Sequence, residues 1–176
     1  MPSNESIKNA VKLIEGDKSK VLRFNMGKHT NVETGKYIPK AEAQTEPELF
    51  ITTSSSTGTY IAIGLDLDAP FPGFFTALGP ILHWIQPGLK AGPDGKLTSS
   101  DPFIADYIGP APPPGSSPHR YSFFLYEQPE GLDIQKYAPA GGKKLGNWNR
   151  MRFSLDNWEK EIKLGPLVAF NYFNSN

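Results

Sequence analysis

The chain has 176 residues, within the usual range for one domain and long enough to bury about two-thirds of the surface its unfolded form exposes. It has no cysteine, which excludes disulfides, thiolate metal sites and cysteine nucleophiles. Its 18 Lys+Arg balance 18 Asp+Glu, which removes the basic field expected of a nucleic-acid partner. With 17 glycines, 17 prolines and no sustained helical period, the composition predicts a mostly β, turn-rich fold in a single domain over residues 1–176. The N-terminal segment mixes charges with apolar residues and has neither a signal-peptide run nor an apolar span of about 18 residues. A cytoplasmic, soluble protein without a transmembrane segment is expected.

Ile7, Ala10, Val11 and Ile14 recur at helical spacing, with Ser3 available as N-cap and Gly16 as a stop, so a short amphipathic helix packed on a sheet is expected first. Residues 21–25 begin the strand region. Residues 48–53 and 59–66, separated by SSSTG, read as a hairpin or meander, and the Ser54, Ser55, Ser56 run as a flexible turn. The run YIAIGLDLD ends in the proline corner APFPG, which delivers Asp66 and Asp68 to an edge of the sheet. Residues 79–86 read as a further strand and KAGPDGKLTSSDPF as a loop. The rigid segment YIGPAPPPG feeds a β segment at 121–127. A basic stretch follows, then a short helix capped by Ser154 with Leu155, Trp158 and Ile162 on one side, and a closing strand at 167–173.

Two of the three histidines stand in apolar β segments, His83 in ILHWI and His119 in SPHRYSFF. Residues two apart on a strand share a face, so Asp66 pairs with Asp68, and His119 pairs with Tyr121 while Arg120 points the other way. Where the DLDAP corner meets the HRY strand, an Asp, two His and a Tyr hydroxyl converge. A carboxylate beside an imidazole favours imidazolium, so the pocket is expected to be positive, to offer N–H and O–H donors, and to suit a phosphate, sulfate or carboxylate. Pro70, Pro112, Pro113 and Pro114 would make its walls stiff and apolar. His29, in GKHTN, reads as exposed and uninvolved. No nucleophile elbow, phosphate-binding P-loop, zinc-protease or dinucleotide signature is present, and the two histidines lie 36 positions apart without metal-ligand spacing.

LDLDAP at 65–70, the strand with His83, and YIGPAPPPGSSPHRYSFFLYEQP at 107–129 occur in an order that resembles the phosphatidylethanolamine-binding protein family, which includes Raf-kinase inhibitory proteins and carboxypeptidase Y inhibitors. The closing LGPLVAFNYF and the stretch NRMRFSLDNW are similar to fungal members. The resemblance implies an antiparallel β-sandwich, a large central sheet packed on a smaller one, with a few short peripheral helices. It implies a ligand pocket of Asp66, Pro70, His83, Pro113, His119 and Tyr121, with Asp68 and Arg120 as a pair bracing the two motif segments. Ile81 and Ala111 depart from the tryptophan and glycine usual in animal members. Ending at Asn176, the chain is also expected to lack the C-terminal helix that partly closes their pocket.

The function expected is that of a monomeric, non-enzymatic binding protein that takes a small anion or phospholipid head group and regulates signalling, without metal or cofactor. One alternative is a protease or kinase inhibitor acting through the sheet edge or N-terminal segment. A second is a metal-dependent hydrolase.

Overall fold

A computed structural model describes residues 5–52, 58–73 and 77–176. The Ser3 cap, Thr53 and the serine run at 54–56 lie outside these residues. In chain order the elements are α1 (Glu5–Gly16), β1 (Arg23–Asn25), β2 (Glu48–Phe50), β3 (Tyr60–Asp66), β4 (Ile81–Ala91), β5 (Leu97–Thr98), β6 (His119–Glu127), α2 (Ile134–Tyr137), α3 (Leu155–Ile162) and β7 (Leu167–Ser175), with short 3₁₀ turns between them. β1 and β2 form one antiparallel pair, and the other strands form a five-stranded sheet in the order β5-β4-β3-β6-β7, every neighbour antiparallel. The mostly β architecture with two sheets and few short helices is the one expected.

The large sheet is covered on both faces, which explains why β3 and the centre of β6 are apolar without a break. Phe123 and Leu125 face the small sheet, where Phe24 and Leu49 meet Trp84 and Phe173. Phe124 and Tyr126 face the helices, where Ala10, Ile14, Leu155 and Ile162 pack on Ile61, Ile63 and Phe170. Helix α3, capped by Ser154 Oγ as expected, in turn supports α1. The Asp156 carboxylate accepts from the Glu5 and Ser6 amides, placing negative charge at the positive end of the α1 dipole. Ser6 Oγ donates to Glu159 at 2.6 Å.

Three expectations change. Residues 48–50 and 60–66 are not hairpin partners: β2 pairs with β1, and β3 sits between β4 and β6 in the other sheet. Alternation and turn residues do not specify which strand a segment joins. The loop expected after residue 86 is a hairpin, because β4 continues to Ala91 and pairs with β5. Pro87 and Gly88, which follow the end of the expected strand at residue 86, are accommodated where the β3–β4 register shifts between Tyr60 and Ala62. Finally, β3 is the central strand, so Asp66 stands at the end of the sheet rather than at its edge.

Candidate functional site

β3, β4 and β6 end side by side, with Asp66 opposite both Ile81 and Tyr121. A second register shift in β4 falls between Trp84, opposite Gly64, and Leu82, opposite Leu65, leaving His83 as the extra residue. Without this bulge, His83 and Trp84 would project to opposite faces. With it, Leu82 and Ile85 pack towards the helices, Trp84 packs in the core between the sheets, and His83 lines a cavity beside it. Gly64 permits the crowding, since a Cβ there would lie 3.1 Å from Trp84 Cβ.

The cavity has a volume of about 260 Å³ and is lined by all six expected pocket residues, Asp66, Pro70, His83, Pro113, His119 and Tyr121. Ile81 and Ala111, the two departures from the animal pattern, also line it, as do Asn147, Arg150 and Met151, which the sequence reading did not place there. The volume lies below the ~300–1,000 Å³ usual for drug-sized ligands.

The polar end of the cavity is tightly connected. His119 Nδ1 meets Asp66 Oδ2 at 2.8 Å, and its Nε2 meets the Pro70 carbonyl at 3.1 Å and Ser116 Oγ at 2.8 Å. Asp66 Oδ1 accepts the Asp68 amide. Burial opposes a charge on His119, but the hydrogen bond to Asp66, the charges of Asp66 and Asp68, and the Pro70 carbonyl together outweigh it, and its pKa lies above the ordinary value. His83 behaves oppositely. Its burial outweighs the attraction of Asp66 and pushes its pKa down. Its Nδ1 lies 2.7 Å from the Ile108 carbonyl, which can only accept, so the proton of the neutral ring sits on Nδ1 and Nε2 is a bare acceptor.

The site therefore differs from the positive, donor-rich pocket expected. The His119 charge is balanced by Asp66, both His119 N–H groups have protein acceptors, and His83 is neutral. The remaining donor is the Tyr121 hydroxyl, which is buried and makes no hydrogen bond of good geometry, with the Asp66 carboxylate and the Ala111 backbone as its nearest polar neighbours. Its ring stacks on His119 at 6.1 Å and meets His83 edge-on at 5.1 Å. Burial, reinforced by the Asp66 charge, raises its pKa, so it stays protonated and able to donate.

Asp68 and Arg120 form the expected brace. Asp68 accepts the Arg120 amide at 2.9 Å, Nε at 2.8 Å and Nη2 at 2.7 Å, tying the corner after β3 to the start of β6. Asp68 thus serves Arg120, whereas Asp66 serves His119, so the two carboxylates do not act on one face as the two-residue spacing suggested. Opposite, Arg150 is fully buried, paired with the Asp106 carboxylate and donating to the carbonyls of Leu82, Asp106 and Leu145. His29 is not free on the surface: it is half-buried, with Nε2 2.6 Å from Glu42.

Ser116, His119 and Asp66 have the connectivity of a hydrolase triad, which a Ser-x-x-His spacing could have flagged. Two features oppose that use. Ser116 does not line the cavity and also donates to the Ser117 carbonyl, and the raised pKa of His119 favours its imidazolium form, which has no lone pair on Nε2 to accept the serine proton. Among the described residues no group of three His, Asp or Glu is placed to hold a metal ion.

The family model described as phosphatidylethanolamine-binding protein matches residues 28–173. A biosynthesis cluster protein of Talaromyces stipitatus, phomoidride biosynthesis cluster protein N, is 32% identical over 161 residues, 81% of this chain and 77% of that protein. The carboxypeptidase Y inhibitor of Saccharomyces cerevisiae is 41% identical over 70 residues, covering 40% of this chain but only 32% of that protein's length. Among solved structures, a carboxypeptidase Y inhibitor complexed with its cognate proteinase superposes with a TM-score of 0.74 at 24% identity, covering 98% of this chain and 92% of that one.

Proposed function

Because the chain belongs to the phosphatidylethanolamine-binding protein family, we propose that its cavity binds a phosphate-type group, free or as a phospholipid head group, without turnover, in a monomeric cytoplasmic protein formed as one domain over residues 1–176. The observation that carries this reading is the buried Tyr121 hydroxyl, which makes no well-formed hydrogen bond within the protein, lining a cavity that also exposes an acceptor nitrogen. An unpartnered buried hydroxyl costs about 1–3 kcal/mol, which a ligand oxygen would recover. A phosphate monoester with one remaining proton is the matching guest: an oxygen accepts from Tyr121, and its P–OH donates to His83 Nε2. The second ionisation of such esters falls near pH 6, so affinity rises as pH falls from 8 towards 6. In this reading Asp66, Pro70, Pro113 and His119 shape and orient the site, and Asp68 and Arg120 brace it.

Calorimetric titration with phosphorylethanolamine, on wild type and Tyr121→Phe, tests this. The variant is expected to lose about 1.5–3 kcal/mol of binding yet unfold at the same or higher denaturant concentration, since it removes a hydroxyl that had no partner. Unchanged affinity, or a large loss of stability, contradicts the reading.

A second reading has its own support. The match to the yeast carboxypeptidase Y inhibitor suggests inhibition of a carboxypeptidase through a protein surface. Tyr121→Phe separates the two, because a surface-borne inhibition survives it.

A further inference from the structure

Arg23 and Phe50 form the last rung of the small sheet, and beyond it the two strands part. Upstream of Arg23 the chain is tied to the large sheet, where the Leu22 amide donates to the Phe170 carbonyl at 3.0 Å. Downstream of Phe50 it is tied elsewhere, the Ile51 amide donating to the Gly95 carbonyl at 2.9 Å. A pocket of about 210 Å³ opens between the parted ends, with residues 19–23 on one side, 50–52 on the other, and Tyr60, Val168 and Ala169 of the large sheet completing it. Tyr60 begins β3 and Asp66 ends it, so this pocket and the cavity described above stand at opposite ends of a seven-residue strand, about 20 Å apart.

The chemistry of the pocket is one-sided. Arg23 holds its guanidinium carbon 4.6 Å from the centre of the Phe50 ring, which carries the charge from one side of the gap to the other. Neither Arg23 nor Lys20 enters an ion pair among the described residues. Tyr60 is 7% exposed, and burial, reinforced by the charge of Glu127 across the β3–β6 ladder, raises its pKa, so its hydroxyl stays able to donate. Glu127 does not line the pocket. Nor does Asp17, the acidic group closest in sequence, whose carboxylate is occupied by the Ser19 amide at 2.9 Å and the Ser19 hydroxyl at 2.6 Å. An ammonium, a guanidinium and a phenol thus meet in a pocket without a carboxylate on its lining.

We infer that this pocket is a second anion site, for a tetrahedral oxyanion of the phosphate or sulfate type. The inference stands independently of the head-group reading of the first cavity. Two cations beside one gap repel each other, and a bound anion turns that repulsion into attraction. Phe50, Val168 and Ala169 reduce the screening that water would otherwise provide. The guanidinium offers a fork of N–H donors to two oxygens, and the ammonium and the phenol can each meet another. A tetrahedral anion supplies that many oxygens, whereas a carboxylate has only two. The volume, below the ~300–1,000 Å³ usual for drug-sized ligands, limits the guest to one such group.

The test follows backbone amide resonances while the intact protein is titrated with inorganic phosphate at constant ionic strength. Saturable shifts at Leu22, Arg23 and Ile51 are expected, with the same affinity in wild type and Tyr121→Phe. Arg23→Gln is expected to bind phosphate about tenfold more weakly, and Tyr60→Phe about threefold more weakly. In both variants His83 and His119 respond to phosphate as they do in wild type. Sulfate is expected to compete and acetate not to. No saturable shift at these amides, equal shifts with acetate, or unchanged affinity in both variants overturns the site. Shifts confined to His83 and His119 overturn it and leave the head-group reading intact, whereas saturation at the three amides without a histidine response does the reverse. A short phosphoserine peptide separates two sources of the group: tighter binding than inorganic phosphate assigns the site to a phosphorylated chain, weaker binding to the free ion.

Discussion

His83 and His119 flank the same tyrosine ring, yet their protons answer to different neighbours. His119 gives both N–H groups to acceptors, one of them a carboxylate, whereas His83 meets a neutral carbonyl and is dominated by burial. Their contributions to pH dependence therefore have opposite signs. The raised pKa of His119 stabilises the fold fully below the ordinary value of 6.5, and this is lost as pH rises through the raised pKa. The lowered pKa of His83 gives a contribution present above 6.5 and lost as pH falls through the lowered value. A side-chain NMR pH titration of the ligand-free protein is expected to show His119 titrating above 6.5 and His83 below it. The reverse order contradicts the proton placement. The sequence showed which residue types meet here but not their protonation, since Ile108 lies 25 positions from His83 and no local pattern joins them.

At the scale of elements, every strand but β5 was legible in the sequence, at least in part, and β3, β6 and β7 most fully because their apolar runs are long. The end of β4 was hidden because Pro87 and Gly88 resemble a break, and the orientation of His83 was hidden because a bulge shifts the two-residue alternation by one. The 3₁₀ turn Asn147–Arg150 was legible only as a basic stretch, because its anchor, Asp106, lies 44 positions away. That anchor has an energetic consequence. Burial lowers the Arg150 pKa, and Asp106 is the carboxylate that pairs with it. Asp106→Ala leaves a buried cation unpaired and is expected to cost about 3–5 kcal/mol in denaturant unfolding. A loss below about 1 kcal/mol, the range of exposed pairs, would show that solvent reaches the guanidinium.

At the scale of the molecule, the expected sandwich of a large and a small antiparallel sheet is present, and the six expected pocket residues converge although they span positions 66 to 121. They converge because β3, β4 and β6 are adjacent strands that all reach one end of the sheet. Among the described residues, no helix is long and apolar enough to cross a membrane. Helix α1 takes no part in the cavity.

The most direct test of the central claim is to follow the histidine side-chain resonances while titrating the protein with phosphorylethanolamine. Saturable shifts at His83 and His119, with His29 unmoved and the response lost in His83→Ala, are the result predicted, with His83 shifting towards its protonated position. If neither cavity histidine moves, or if all three move together, the cavity is not an anion site.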